Sequence, residues 1–181
     1  MLIGFTGLAH SGKDKAGSTL FMNHGFIRVA IADPVKTAAA VLFGLDAAEF
    51  HDDALKNQIV PQWGISRRTM MQRVGDMVKK DMGNEFWILN WFNRYVQVSD
   101  ANHVVVTDVR FDYEAERIIQ LGGVIVKIER YDAGLSGDAA AHNSEQGIST
   151  HLISHTIDNN GLVCDLKHSL EALLKRVRAA A

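Results

Sequence analysis

The apolar run Leu2-Ile3-Gly4-Phe5-Thr6 closes on Gly7, and Gly12-Lys13 then opens a stretch, Asp14 to Asn23, that can form a helix stopping at His24-Gly25. The segment between them, Gly7-Leu8-Ala9-His10-Ser11-Gly12-Lys13, has the spacing G-x-x-x-x-G-K. Between a buried strand and a helix, such glycines let successive backbone N–H groups turn inward around a phosphate. The helix N-terminus adds a favourable dipole, and Lys13 adds a point charge for the outer phosphates. The bland alternative is a glycine-rich turn that merely ends a strand. The flanking strand and helix favour the phosphate loop, with Gly7, Ala9, His10, Ser11, Gly12, Lys13 and Asp14 as its expected nucleotide-binding residues.

Asp14 stands where this loop usually carries a Ser or Thr hydroxyl that ligates Mg2+. A carboxylate there can hold Mg2+ directly or through water, or it can simply complement the helix start. Both readings stand. His103-Val104-Val105-Val106-Thr107-Asp108 is the clearest strand, a β-branched run of the kind covered on both faces. Asp108 at its end is a candidate second acid for the metal, against a plain turn residue. Two positions on, Arg110 can grip a phosphate through paired hydrogen bonds. The competing reading is a weak surface ion pair.

Further strands are expected at Phe26–Ile31 and Val124–Ile128, with a weak one at His155–Asp158. Helices are expected from Asp33-Pro34 to Phe43, from a Ser66 cap to about Met82, and from an Asn84 cap to about Val98. Asp112 caps another, which Gly122-Gly123 ends, and Leu166, Leu170, Leu173, Leu174 and Val177 form the apolar stripe of a last one. Alternating strands and helices predict an α/β fold with a parallel sheet covered on both faces, and ligands at the carboxyl ends of its strands. Residues 46–99, the longest stretch without a convincing strand, read as inserted helices.

Asp33-Pro34-Val35-Lys36 puts a carboxylate and an amine at a strand-to-helix junction, where Lys36 can meet a phosphate or sit solvated. Arg67, Arg68, Gln72, Arg73 and Asp76 lie at helical spacing. Such a face can read a nucleobase through Gln72 and a phosphate through an arginine, or be a plain solvated face. Met70, Met71, Val74, Met77 and Val78 are expected in the core, as are Trp87 and Trp91. Arg130, the glycine-rich stretch after it and His142-Asn143-Ser144-Glu145 suggest a lid that excludes water from a transferring phosphate. No Arg or Lys lies between Arg130 and His142, so a lid cation falls to one of those two. A metal site from His142, His151 and His155 is disfavoured, because His155 begins a strand.

Composition narrows the classes. A chain of 181 residues is expected to form one domain with a real core. Its 19 basic and 21 acidic residues disfavour a nucleic-acid coat or a polybasic membrane binder. Cys164 is the single cysteine, which rules out an intrachain disulfide. The apolar opening, Met1 to Ala9, is far shorter than a membrane span and lacks the basic start of a signal peptide, so a soluble cytoplasmic chain is expected.

Gly7 to Asp14 ending in Ser-Gly-Lys-Asp, Ala32-Asp33-Pro34-Val35-Lys36, Arg67 to Gly75, Asp108-Val109-Arg110-Phe111, His142-x-Ser144-Glu145 and Asp158-Asn159-Asn160-Gly161 occur in this order. Together they resemble the bacteriophage deoxynucleoside monophosphate kinase family, in the nucleoside monophosphate kinase group of P-loop proteins, over nearly the whole chain. The resemblance implies one domain over 1–181: an α/β fold with a five-stranded parallel sheet, 46–99 as an acceptor-binding helical insertion and 130–147 as a lid. It also implies Mg2+-dependent transfer of the γ-phosphate of ATP to a deoxynucleoside monophosphate, supplying DNA precursors in the cytoplasm (the host's, if phage-encoded). Lys13, Arg110 and Arg130 are then catalytic. Asp33, Lys36, Arg68, Gln72, Asp108, Ser144 and Glu145 bind substrate, and Asp14 and Asp108 hold Mg2+. No stable nucleic-acid or membrane partner is implied, and a homodimer is plausible by base rates. Two other readings stay open: a P-loop kinase acting on phosphomevalonate or dephospho-coenzyme A, and a non-catalytic nucleotide-binding switch.

Overall fold

The strands β1 (Leu2–Thr6), β2 (Phe26–Arg28), β5 (His103–Val106), β6 (Val124–Glu129) and β7 (His155–Asp158) form one parallel sheet in the order β2-β5-β1-β6-β7. The computed structural model describes residues 1–135 and 142–179, so positions 136–141 of the expected lid lie outside the described residues. β1 is central and all five of its residues are buried, with Ile3 opposite Val105 on one side and Val124 on the other. Helices α1 (Lys13–His24) and α7 (Val163–Ala179) contribute Leu20, Leu166, Leu170, Leu173 and Leu174 to a core with Ile3, Phe5, Phe26, Val126 and Ile128.

From the centre, β1 continues through α1 to β2, whereas β5 continues through α6 (Asp112–Gln120) across β1 to β6. The loops after two neighbouring strands therefore run in opposite directions. Such a reversal of direction marks the carboxyl ends of the strands as the place where α/β sheets bind ligands.

Ile31–Asn90 forms a second compact unit, distinct from the one made by Met1–Ala30 with Trp91–Ala181. It holds α2 (Asp33–Phe43), α3 (Asp53–Lys56), a hairpin of β3 (Ile59–Val60) and β4 (Ile65–Ser66), α4 (Arg67–Met82) and the start of α5 (Phe86–Ser99). Ser66 caps α4 through its hydroxyl and the Thr69 amide at 3.2 Å, as its place before the helical pattern predicts. Phe50, Met70 and Val74 are buried in this unit, and the Trp87 indole donates to the Gly75 carbonyl at 3.2 Å.

Several boundaries differ from the sequence expectation, each for a visible reason. β2 stops at Arg28 rather than Ile31, since Trp91 and Arg94 of α5 take the carbonyls of Val29 and Ala30 at 2.9 and 2.8 Å. β5 stops at Val106 because Val109 turns its amide over to the Phe5 carbonyl at 3.1 Å. α5 begins at Phe86, two residues past the expected cap. The β3–β4 hairpin has two residues per strand, too short for an alternating pattern to register. Met77 is exposed, not core. Among the described residues no helix is long and apolar enough to cross a membrane.

Candidate active site

The phosphate loop follows directly on the buried end of β1. Gly7 (φ 137°), His10 (φ 64°) and Gly12 (φ 104°) all take left-handed backbone conformations, so the chain reverses its curvature within a few residues. A Cβ on Gly7 would lie 2.4 Å from the Ile128 carbonyl oxygen, and one on Gly12 would lie 2.2 Å from Nδ2 of Asn159. Both glycines are thus fixed by close approach as well as by φ. The loop's own hydrogen bonds are few: Ser11 N–H to Leu8 O at 3.2 Å and Ala16 N–H to Gly12 O at 2.9 Å. The amides of Ala9, His10, Gly12 and Lys13 donate to none of the described residues, leaving a set of N–H groups at a helix N-terminus.

Lys13 is buried, and its ammonium turns back to the carbonyls of Gly7 at 2.8 Å and Leu8 at 2.6 Å. Two of its three donors are used there. Burial, and after it the positive charge of Arg110, pushes the ammonium down to about 8, while Asp14, Glu145 and Asp108 pull the other way. An anion entering here would meet a buried, poorly solvated cation.

Arg110 is held at both ends. Its amide donates to Oε2 of Glu114 at 2.7 Å, and the Phe111 amide donates to the same oxygen at 3.2 Å. Glu114 thereby fills the helix-capping role that sequence assigns to Asp112. Asp112 lies inside α6 and instead accepts from the Ser149 amide at 2.8 Å and hydroxyl at 2.5 Å. Glu114 is fully buried, which drives its carboxyl up to about 8. At the other end, Nη1 of Arg110 donates to the Ser144 carbonyl at 2.8 Å and to Oε1 of Glu145, an ion pair whose carboxylate is buried. The Ser144 hydroxyl faces Nδ1 of His142 at 2.9 Å.

The chain after β6 and the turn after β7 brace the same loop. Gly134 donates its amide to Ala9 O at 2.8 Å, and the Asn159 side chain donates to Ser11 O at 2.8 Å. Tyr131 donates its amide to Oδ1 of Asn160 at 2.8 Å. Beside them lies a cleft of about 430 Å³, lined among others by Gly7, Leu8, Arg130, Tyr131, Asp158 and Asn160. Arg130 is exposed on this cleft and pairs with none of the described residues.

The residues present suit Mg2+. That ion takes one or two carboxylates plus phosphate oxygens and waters, rather than a full protein cage. Asp14 and Asp108 are two such hard donors, both near enough to act on the Lys13 ammonium.

In the Ile31–Asn90 unit, Lys36 lies 3.3 Å from Oδ1 of Asp33 and 3.3 Å from Nδ1 of His51. Arg67 pairs with Glu49, and Arg68 donates through Nε to Oδ1 of Asn57 at 2.7 Å. The Gln72 amide, half-buried on α4, bonds to none of the described residues. The unit therefore gathers Lys36 with Asp33, while Arg68 is committed to the turn after α3. His51 and Glu114 were not legible as site residues, for no pattern around either marks it.

The sequence model of the family described as deoxynucleotide monophosphate kinase matches residues 45–170. A protein of Acanthamoeba polyphaga mimivirus, named as a deoxynucleotide monophosphate kinase, is 34% identical over 158 residues, 80% of each chain. This chain belongs to the deoxynucleotide monophosphate kinase family. The family match begins well beyond Lys13, so the phosphate loop is a separate observation that agrees with it. Among solved structures, the TT1252 protein of Thermus thermophilus has a similar fold, with 16% identity, a TM-score of 0.51 and 97% of both chains covered. Shikimate kinase of Aquifex aeolicus aligns with 11% identity and a TM-score of 0.48, over 97% of this chain and 96% of its own. For a member of the deoxynucleotide monophosphate kinase family the reaction class is phosphoryl transfer, in which protein groups position and neutralise rather than bond covalently.

Proposed function

We propose that the chain transfers the γ-phosphate of ATP to a deoxynucleoside monophosphate. The observation that carries this reading is the buried Lys13 ammonium beside a set of uncommitted loop amides, with Arg110 close enough to depress it. The loop amides and Lys13 hold the β- and γ-phosphates, and the adjacent cleft, within the usual size range for ligand pockets, has room for the adenosine end of ATP. Asp14 and Asp108 would hold Mg2+, which would offset the negative charge of the phosphates during transfer.

An oxygen of the acceptor phosphate attacks the γ-phosphorus in line, the bond to the β,γ-bridging oxygen breaks, and ADP carries away the electron pair. A phosphate monoester loses its second proton near pH 6, so the acceptor arrives ionised and needs no strong general base. Arg110 and Arg130 neutralise the transferring group. Lys36 with Asp33, Arg68 and Gln72 serve the acceptor, Gln72 through an amide whose paired donor and acceptor suit a base edge. Ser144 and Glu145 act beside Arg110.

A coupled assay of ADP formation with each of the four deoxynucleoside monophosphates tests the reading. Acceptor-dependent turnover with at least one of them is expected. No turnover with any of them, or faster turnover with phosphomevalonate or dephospho-coenzyme A, would overturn it.

A further inference from the structure

An arginine has five N–H donors, and Arg110 commits only one nitrogen of its guanidinium. Nη1 gives one hydrogen to the Ser144 carbonyl at 2.8 Å and the other to Oε1 of Glu145. Nε and Nη2 bond to none of the described residues. Those two nitrogens form the side of the fork that binds an oxyanion through two parallel hydrogen bonds. The backbone beneath is also fixed, by Glu114 at the Arg110 and Phe111 amides and by the bond from Val109 N–H to Phe5 O, which brings this loop to the end of β1.

Glu145 is ill-suited to a purely stabilising role. Its side chain is 5% exposed, and its second oxygen, Oε2, is buried with no hydrogen bond among the described residues. A buried carboxylate left half-satisfied is costly, and an apolar or neutral residue in its place would often be no less stable. A negative charge beside a polyphosphate loop is unfavourable as well, unless it acts through a cation. What Glu145 does is fix one corner of the guanidinium.

We propose that Glu145 is a positioning residue: it turns Arg110 so that the Nε–Nη2 edge, rather than Nη1, meets the transferring phosphate. This rests on the phosphoryl-transfer reading above and adds a role to it. Glu145 itself touches no substrate.

The test is a double-mutant cycle on kcat, with KM and melting temperature measured alongside. Glu145→Ala is expected to lower kcat tenfold or more while the acceptor KM moves less than threefold. Glu145→Gln, whose Oε1 still accepts from Nη1, is expected to return kcat to within about threefold of the native value, with no loss of melting temperature. In an Arg110→Ala background, Glu145→Ala should cost nothing further, because the group it positions is gone. If Glu145→Ala does not fold, Glu145→Asp, which retracts the carboxylate by one carbon, replaces it with the same expected pattern. Equal losses in the two backgrounds, or an unchanged kcat in the first, would overturn the proposal. Should the native chain phosphorylate no deoxynucleoside monophosphate, the acceptor reading falls. The same cycle read on ATP affinity by calorimetry then decides Glu145: overlapping losses support it and additive losses reject it.

Discussion

The side-chain amide of Asn159 donates to the backbone carbonyl of Ser11 at 2.8 Å, from 148 residues further along the chain. Asn159 is buried, and its Nδ2 occupies the place where any side chain at residue 12 would begin. The turn after β7 is therefore a wall of the phosphate loop. A loop that leaves the amides of Ala9, His10, Gly12 and Lys13 uncommitted is worth most when it cannot relax, since ordering it on binding would subtract from affinity.

Removing that wall gives a direct prediction. Asn159→Ala leaves the Ser11 carbonyl without its donor, a loss of roughly 1–3 kcal/mol for a buried acceptor. ATP affinity measured by calorimetry is expected to fall about tenfold, on the lower part of that range. Asn159→Asp should be worse than Ala, because a carboxylate would face a carbonyl oxygen and lie beside bound phosphate. An Ala variant that binds ATP as tightly as the native chain would separate Asn159 from the loop's function.

Lys13 gives a prediction with opposite effects on stability and activity. Its ammonium sits near 8 in the folded chain, against an ordinary value of 10.5. For a base with a depressed folded value, the penalty is full below pH 8 and fades as pH rises to about 10.5. Lys13→Met is thus expected to raise stability at pH 7 by as much as about 3 kcal/mol, from 1.36 kcal/mol per unit, while abolishing transfer. Bound ATP adds negative charge beside the ammonium and lifts it back up. ATP binding at pH 8.5 is then expected to take up a fraction of a proton. Calorimetry in two buffers of different ionisation enthalpy reads that uptake directly.

How much of this was legible in the chain follows from how local each feature is. Gly7 to Lys13 is recognisable because strand, loop and helix are contiguous, and Ser66 is recognisable because a cap acts on an amide three residues away. The Val104–Val106 run announces a strand covered on both faces for the same reason. The contacts that shape the site are between distant segments: Asn159 with Ser11, Glu145 with Arg110, Lys36 with His51. Periodicity and capping rules act within a few residues and carry no information about which turn meets which. Motif order brought Asn159 and Glu145 into view as part of a family pattern but did not say what they touch. Glu114 went unread for a different reason: an acid in a first helical turn is ordinary, and only full burial distinguishes this one.

The Glu114 carboxyl has a measurable signature. Burial raises it to about 8 from an ordinary 4.5, so the folded chain holds a proton that the unfolded chain releases. For an acid with a raised folded value, the associated stability is fully present below pH 4.5 and is lost as pH climbs through 8. Glu114→Gln can still accept from the Arg110 and Phe111 amides and has no charge to bury. Urea titrations are expected to show the native chain losing stability relative to this variant between pH 5 and pH 9, by an amount on the order of 4 kcal/mol at the upper end. Parallel curves for the two chains across that range would mean that Glu114 ionises without penalty.

The Gln72 amide bears on the acceptor alone. It lies on α4 in the Ile31–Asn90 unit, half-buried and without a hydrogen bond among the described residues, whereas Arg67 and Arg68 on the same helix are committed to Glu49 and Asn57. A site that hydrogen-bonds a substrate group discriminates by leaving its own polar atoms unpaired when the wrong group enters. Gln72→Ala is therefore expected to lower kcat/KM for the preferred deoxynucleoside monophosphate about tenfold, roughly the 1–2 kcal/mol of one such hydrogen bond, and to narrow the preference among bases. The KM for ATP should move less than twofold, because the phosphate loop belongs to the other compact unit. A fall in ATP affinity of the same size as the fall in acceptor kcat/KM would instead mark Gln72 as a residue that holds α4 in shape. Gln72→Leu, which keeps the volume and removes only the polar atoms, separates these outcomes if the alanine variant loses stability.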